Sequence, residues 1–589
     1  MPTRTKWASK YPLLRKYLPL VHDDLGATYT RNLTKWLVIS PIIGVVSGLT
    51  VTAVAVIILR VVWPPVFTYY LGHHWVIVPG VTLGFLVTGL IMQYFTPDPN
   101  EHSTEEVVRS YHEHRGDIDM RPLIPKLLAA VTTVGFGGSA ALEGPSIYGG
   151  GAIGSWLWTK MKRFKLEPRD RRIMLISGAA AGMAAVFRAP LTGLVFALEL
   201  PYKDDLAHEA LLPSLISSVV SYVTLAVFLG AQPIFAFDSS ITFNRWDLVW
   251  CAVLGAGIGL AGMVFAITFR HAREFAVKWA VPHWVKLTVG GFLTGLCGLA
   301  FVAIFKDSLV PLGPNYEAVG LILGAQHASF ELIAFGILKL IATIFSLASG
   351  GVSAMFVPLF LTGGAFGTAF AQIAVHGSSV ELYAAVGMAA FIAAGYKTPL
   401  AAVTFVAEAT GGHAFIIPAL IGSAIAYGVS GDASVSGDQR LHEGVRVFEL
   451  RDIAVNEIMQ REVISVQASM TLQEFAEVIS THYRHTTFPV LEGHRIVGTI
   501  ASWSLSRAPA ADWATTTVLD VAERKVMRIP PDCDAMEGLR LLLSERAQPM
   551  LLVTSAEGKL EGIVTKTDIL EALKTRGERR APEPVVEAV

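Results

Sequence analysis

The feature that most restricts this chain is a series of long apolar runs almost free of charge, recurring from about residue 36 to residue 431. Residues 211–237, 248–269 and 287–305 are three of them. Roughly 20 apolar residues wound as a helix cross the hydrocarbon core of a bilayer, so each run predicts a membrane span. On the order of a dozen such stretches recur, several too short to cross alone. With 52% hydrophobic and 16% charged residues in 589, the chain is too apolar for a set of soluble domains. Its formal net charge of -1 leaves no electrostatic footprint for nucleic acid. Cys251, Cys297 and Cys533 are scattered, with neither a disulfide framework nor zinc spacing.

The charges that remain set the orientation. Arg4, Lys6, Lys10, Arg15 and Lys16 interleave with aromatics, without the apolar core or cleavage site of a signal peptide. The positive-inside rule makes this N-terminus cytoplasmic and puts the basic loop 160–172, KMKRFKLEPRDRR, on the same side. Beyond residue 429 glycine, serine and charge return, and soluble sequence follows. The expected organisation is an N-terminal cytoplasmic segment at 1–33, a membrane domain at 34–431, a linker at 432–450, a soluble α/β pair at 451–575 and a tail at 576–589.

The membrane domain is internally duplicated, in halves of about 34–237 and 246–431. Residues 177–199, SGAAAGMAAVFRAPLTGLVFALE, align without gaps on 386–408, VGMAAFIAAGYKTPLAAVTFVAE. Arg188 then matches Lys397, Pro190 matches Pro399 and Glu199 matches Glu408. Upstream, GGSAALEGPSIYGGGAIGS at 137–155 aligns on GGVSAMFVPLFLTGGAFGT at 350–368. Two blocks in the same order indicate a repeated half, the plan of many transporters, and an inverted arrangement is expected.

In both upstream blocks a small-residue approach meets a proline, Pro145 or Pro358, that opens a new apolar helix. A helix that starts inside the bilayer leaves backbone N–H groups unpaired at a positive dipole end. Two such starts converging near the midplane would hold a dehydrated anion on amides of Glu143, Gly144, Met355, Phe356 or Val357. Glu143 is an ionisable group in an uncharged stretch, hence a functional candidate. Ionised, it competes with the anion, and protonation or displacement opens the path. A carboxylate there would also serve as a plain helix cap.

These segments make the membrane domain resemble the CLC family of chloride channels and proton–chloride exchangers. GFGGSAALEGPSIYGGGAIGS is similar to the family's GREGP motif, SAMFVPLF is similar to GGVFAP, and GMAAVFRAPLTGLVFALE carries the adjoining helices. The resemblance implies a homodimer with one anion pathway per subunit, inverted halves, Glu143 as the gating glutamate, and central amides at Met355 and Phe356. Four positions depart from the family. The arginine of GREGP is Leu142. The serine of the GSGIPE motif falls on His102 in EHSTEE, equally readable as a solvated loop histidine. The central tyrosine falls on Ser436. The proton-relay glutamate of the exchangers, after Glu199, is Leu200.

The soluble repeats resemble a tandem pair of CBS modules. GIVTKTDI at 562–569 is similar to the family's nucleotide-contacting pattern and implies Thr565 and Asp568 as ligands of an adenine nucleotide such as ATP, although Asp568 also reads as an N-cap. In the first module Ala501 and Ser504 occupy the matching places.

The expected fold is thus an all-α polytopic membrane domain of broken and tilted helices with a small α/β cytoplasmic domain. The expected function is chloride transport in the cell membrane with no required cofactor. Because Leu200 cannot carry a proton, a channel is the main reading, with a proton-coupled exchanger as the alternative, in which Glu199 or Asp204 would substitute for the relay. A CBS-bearing cation transporter would need carboxylate clusters in its path, and acids there are few. A membrane enzyme built on HEHRGD, with His112, His114 and Asp117, lacks a second cluster.

Overall fold

The computed structural model describes residues 12–100, 103–161, 166–232, 234–235, 243–305, 308–323, 327–375, 379–411, 413–440, 450, 453–480, 486–544, 549–555 and 558–572. At 12–33, 103, 229 and 479–480 it describes the backbone alone. The chain divides into two units, Met1–His442 and Glu443–Val589.

The first unit is helical. Its first half runs α1 (Pro12–Val56), a π-helical stretch (Ile57–Val62), α2 (Trp63–Gly72), α3 (Ile77–Phe95), α4 (Ser103–His112), α5 (Leu123–Gly135), α6 (Glu143–Lys160), α7 (Pro168–Phe187), α8 (Pro190–Glu199) and α9 (Leu211–Leu229). Its second half runs α10 (Arg245–Lys278), α11 (His283–Phe305), α12 (Ala318–Leu323), α13 (Ser329–Ala348), α14 (Phe356–Ala374), α15 (Val380–Tyr396), α16 (Pro399–Thr410) and α17 (Ile416–Val429). Among the described residues, 7 helical stretches are long and apolar enough to cross a membrane, and five apolar helices are shorter. Outward faces carry residues such as Leu215, Val219 and Val223, spaced to form one stripe on α9, while α6, α7, α14 and α15 form the buried centre.

The duplication is visible in how each half ends its helices. Arg188 closes α7 and Lys397 closes α15, both left-handed with φ of 51° and 60°. Pro190 and Pro399 then open α8 and α16, where the missing N–H costs nothing. Each half caps the other. Glu199 accepts from the amides of Leu400 at 3.1 Å and Ala401 at 2.8 Å, and Glu408 accepts from Leu191 at 2.9 Å and Thr192 at 2.7 Å. These crossed caps satisfy N-terminal donors that the membrane interior could not.

Small residues let the central helices touch. A Cβ on Gly150 would lie 2.0 Å from the carbonyl oxygen of Gly178, and in the second half a Cβ on Gly363 would lie 2.2 Å from that of Gly387. Backbone contact of this kind is how membrane helices gain packing energy where lipid is as apolar as leucine.

The second unit holds two three-stranded sheets of the same design. β1 (Val466–Gln467) runs parallel to β2 (Thr487–Glu492), which pairs antiparallel with β3 (Arg495–Ala501). β4 (Arg528–Ile529), β5 (Met550–Thr554) and β6 (Leu560–Thr565) repeat that order. Thr487 pairs with Ala501 in one sheet and Met550 with Thr565 in the other, at matching places in the repeat.

Candidate anion site

The two upstream blocks meet through a short antiparallel contact. The Ala141 amide donates to the Ala354 carbonyl at 2.9 Å, and the Ala354 amide donates to the Ala141 carbonyl at 3.3 Å. The contact leads the chain into α6 at Glu143 and into α14 at Phe356, so both helix starts face one point. Gly144 is required here, since a Cβ would lie 2.8 Å from the Ser353 carbonyl oxygen. The Ser353 hydroxyl donates to the Ala141 carbonyl and locks the same contact.

Glu143 is fully buried. Its Oε1 accepts from the Phe356 amide at 2.5 Å, so the carboxylate stands where a helix N-terminus would otherwise offer its donor to a free anion. Oε2 is buried and has no partner among the described residues. A half-satisfied carboxylate in the interior is costly, and the arrangement is relieved by binding a proton or by moving away. The Met355 amide donates to the Tyr396 hydroxyl at 3.0 Å. Aromatic rings of both halves wall the point: Phe356 packs on Phe187 at 5.3 Å, Phe196 at 5.4 Å and Phe405 at 4.9 Å between centroids. Val357 is fully buried.

Against Met355 and Tyr396 lies a cavity of about 40 Å³, room for a water or a small ion. Thr104 and Ser436 line it, and both hydroxyls are buried without a partner among the described residues. Glu105 and Arg273 also line it, joined as an ion pair between α4 and α10.

Of the residues singled out from sequence, Glu143, Gly144, Met355 and Phe356 converge directly, and Ser436 reaches the cavity beside Met355 and Tyr396. His102 lies outside the described residues; the next turn of chain brings Thr104 and Glu105 to the cavity. Leu142 is the buried residue before α6. Leu200 is fully buried, its carbonyl accepting from the Gln439 side chain at 3.1 Å. Both oxygens of Glu199 are held by the α16 amides, and Asp204 is exposed. In HEHRGD, His112 Nε2 lies 2.8 Å from the Pro201 carbonyl and Asp117 pairs with Arg171.

Tyr396, Thr104, Glu105 and Arg273 were missed from sequence. Tyr396 had a readable signal, because the gapless repeat aligns it with Phe187, a hydroxyl added on one side only. Thr104 and Glu105 sit in a charged segment, and Arg273 belongs to a distant helix.

In the second unit Thr565 lines a cavity of about 130 Å³ with Gln460, Glu462 and Phe488. The Thr565 amide and hydroxyl both donate to Asp568 Oδ2 at 2.7 Å, and the Gln460 side chain donates to Oδ1 at 2.8 Å. Asp568 is therefore engaged locally, and the cavity is smaller than an ordinary ligand pocket.

A duplicated helical membrane unit whose broken helices aim amides at a buried point defines an anion transporter, and the comparisons agree. Residues 84–431 match the family described as voltage gated chloride channel, and residues 455–511 and 518–575 match the CBS domain. The chain belongs to the CLC family of voltage gated chloride channels and related transporters, with a tandem CBS pair after the membrane unit. An uncharacterized protein of Methanocaldococcus jannaschii is 25% identical over 411 residues, 70% of this chain and 96% of that one. The H(+)/Cl(-) exchange transporter ClcA of Yersinia pestis is 26% identical over 356 residues, 58% of this chain and 73% of that one. The fold is shared with the crystal structure of a CLC-type fluoride/proton antiporter, with a TM-score of 0.60 at 21% identity, covering 69% of this chain and 98% of that one.

Proposed function

We propose that this protein exchanges chloride for protons across the cell membrane, as a homodimer with one pathway per subunit and with its N-terminus and CBS pair in the cytoplasm. The observation that carries the reading is Glu143: one oxygen takes the Phe356 amide in place of the anion, and the other is buried and free to take a proton. Protonation neutralises the carboxylate and releases the amide, after which chloride occupies Met355 and Phe356; departure of chloride lets the ionised carboxylate return. The one group thus excludes the anion when charged and admits it when neutral, which links the two fluxes. The exchange transporter among the relatives supports this over the channel expected from sequence. The inner cavity beside Tyr396, with the hydroxyls of Thr104 and Ser436, is the next stage of the anion path.

A channel is the second reading, favoured by Leu200, which has no proton to give. Proteoliposomes recorded for chloride and protons together decide between them. Under exchange, a pH gradient drives chloride uphill at fixed stoichiometry, and Glu143→Gln moves chloride without protons. Chloride flux with no proton movement in the native protein returns the channel, and identical behaviour of native and Glu143→Gln protein removes Glu143 from the gate.

Adenine nucleotide at the CBS pair, with Thr565 and Asp568 as ligands, requires the Gln460 to Asp568 bond to open and the cavity beside Thr565 to widen. Gln460→Ala lowers that barrier and tightens ATP binding, read by calorimetry on the full chain. No ATP heat in either form removes the nucleotide site.

A further inference from the structure

We propose a second anion-binding position on the outer side of Glu143, formed by the guanidinium groups of Arg60 and Arg188 over the hydroxyl of Tyr316, which collects monovalent inorganic anions before they reach the gate. It rests on the anion-transport reading but not on proton coupling.

The three residues line one cavity of about 190 Å³. α7 starts at the basic loop 160–172 and ends at Phe187, so Arg188 lies at the opposite end of the membrane unit, the external face by the charge rule. Both guanidinium-bearing side chains line this one cavity, and among the described residues no acidic side chain lines it. Among the described residues neither arginine forms an ion pair; Arg188 makes one long bond, 3.4 Å, to the Gln232 carbonyl. Two like charges held over an apolar cavity favour an anion between them. The Tyr316 hydroxyl on this cavity is buried and, among the described residues, has no partner.

Backbone geometry at both arginines is unusual. Arg60 falls in the π-helical stretch Ile57–Val62, a form that is rare and concentrated at functional sites. Arg188 is left-handed, a conformation that glycine or asparagine adopts more readily. An exposed arginine at a helix end would by itself be ordinary snorkelling to the interface. The shared cavity, the second guanidinium and the orphan hydroxyl set Arg60 apart. With Leu142 at the position of the motif arginine, these two residues supply positive charge on the approach to Glu143.

Membrane vesicles of defined sidedness, right-side-out and inverted, test this by chloride uptake against external chloride, at low ionic strength and again with a high concentration of an impermeant salt. Arg60→Gln with Arg188→Asn, the latter keeping a residue suited to the left-handed backbone, raises the half-saturating chloride about tenfold from the outer face at low ionic strength. High salt screens most of that difference, because the Debye length falls from roughly 10 Å at 0.1 M to about 3 Å at 1 M. Arg60→Lys, which keeps the charge, recovers most of what Arg60→Gln loses, and Tyr316→Phe raises the half-saturating chloride by a smaller factor. An unchanged value in the double variant, or an equal rise from both faces, overturns the proposal. Proton flux in the same vesicles keeps the readings apart: absence of coupling in the native protein removes exchange alone, and an unchanged chloride dependence removes the outer site alone.

Discussion

The two halves of the membrane unit are alike where they support the fold and unlike where they handle the ion. Glu199 and Glu408 cap each other's helices, Arg188 and Lys397 turn the chain with the same left-handed residue, and Pro190 and Pro399 restart it. At the centre two of the mismatches place a polar group on one side only: Glu143 aligns on Phe356, and Phe187 aligns on Tyr396. Only the first half carries a carboxylate at its helix start, and only the second carries a hydroxyl at the end of its neighbouring helix. Symmetry therefore builds the scaffold, and these two breaks put an acid and a phenol against the same pair of amides, those of Phe356 and Met355.

The largest effect should follow from disturbing the junction of the halves. In Gly144→Ala the new methyl meets the Ser353 carbonyl oxygen at 2.8 Å and the Ala354 Cβ at 3.2 Å, neither of them the end of a flexible side chain that could yield. Overpacking of this sort costs about 1–3 kcal/mol. We expect the Tm in detergent to fall and transport to be lost, whereas Val357→Ala, at the aligned position, keeps the fold with a milder loss. Equal tolerance at both sites would show that the close approach is not confined to the first half.

The capping glutamates test the symmetric side of the comparison. Glu199→Ala removes the acceptor for two α16 amides and Glu408→Ala removes it for two α8 amides, each costing about 1–2 kcal/mol. Glu199→Gln keeps an acceptor and should recover most of the stability. Native proton coupling in Glu199→Gln is the expected result, because both Glu199 oxygens are taken up by α16 amides; loss of coupling with an unchanged Tm would make it a proton carrier as well.

How far the sequence anticipated this division depends on what each feature needs. The repeat, the proline starts and Glu143 beside Gly144 and Pro145 are local patterns, and they were readable because each is set by neighbours along the chain. The resemblance carried Met355 and Phe356. Arg60 and Arg273 were not readable as partners of anything, since each meets its cavity through residues far along the chain. Glu105, within the charged run EHSTEE, is buried against Arg273, a pairing that a linear string does not show. In the linear string Glu199 is a candidate proton carrier, because the second half's amides, which occupy both its oxygens, do not show there.

Tyr396→Phe restores the symmetry with Phe187 and should cost about 1 kcal/mol, since it strips the Met355 amide of its acceptor while leaving the aromatic packing intact. A chloride at that amide would replace the lost oxygen. The stability loss should therefore shrink as chloride is raised, and a loss independent of chloride would separate the Met355 amide from the anion path.

The smallest change in stability is expected at the most important residue. Among the described residues Glu143 has one oxygen bonded and one buried without a partner, so its removal gives up one amide bond and also relieves the cost of burying the group. These terms oppose each other, and Glu143→Ala should leave the Tm within about 1 kcal/mol of native, on either side, while abolishing control of the anion flux by protons. The contrast with Glu199→Ala is the sharpest form of the comparison. Two glutamates stand at buried helix starts, and the one whose loss unfolds the protein more should be the one whose loss affects transport less. If Glu143→Ala proves the more destabilising of the two, the carboxylate is a cap like its neighbours, and the gate must be sought among the other groups of the inner cavity.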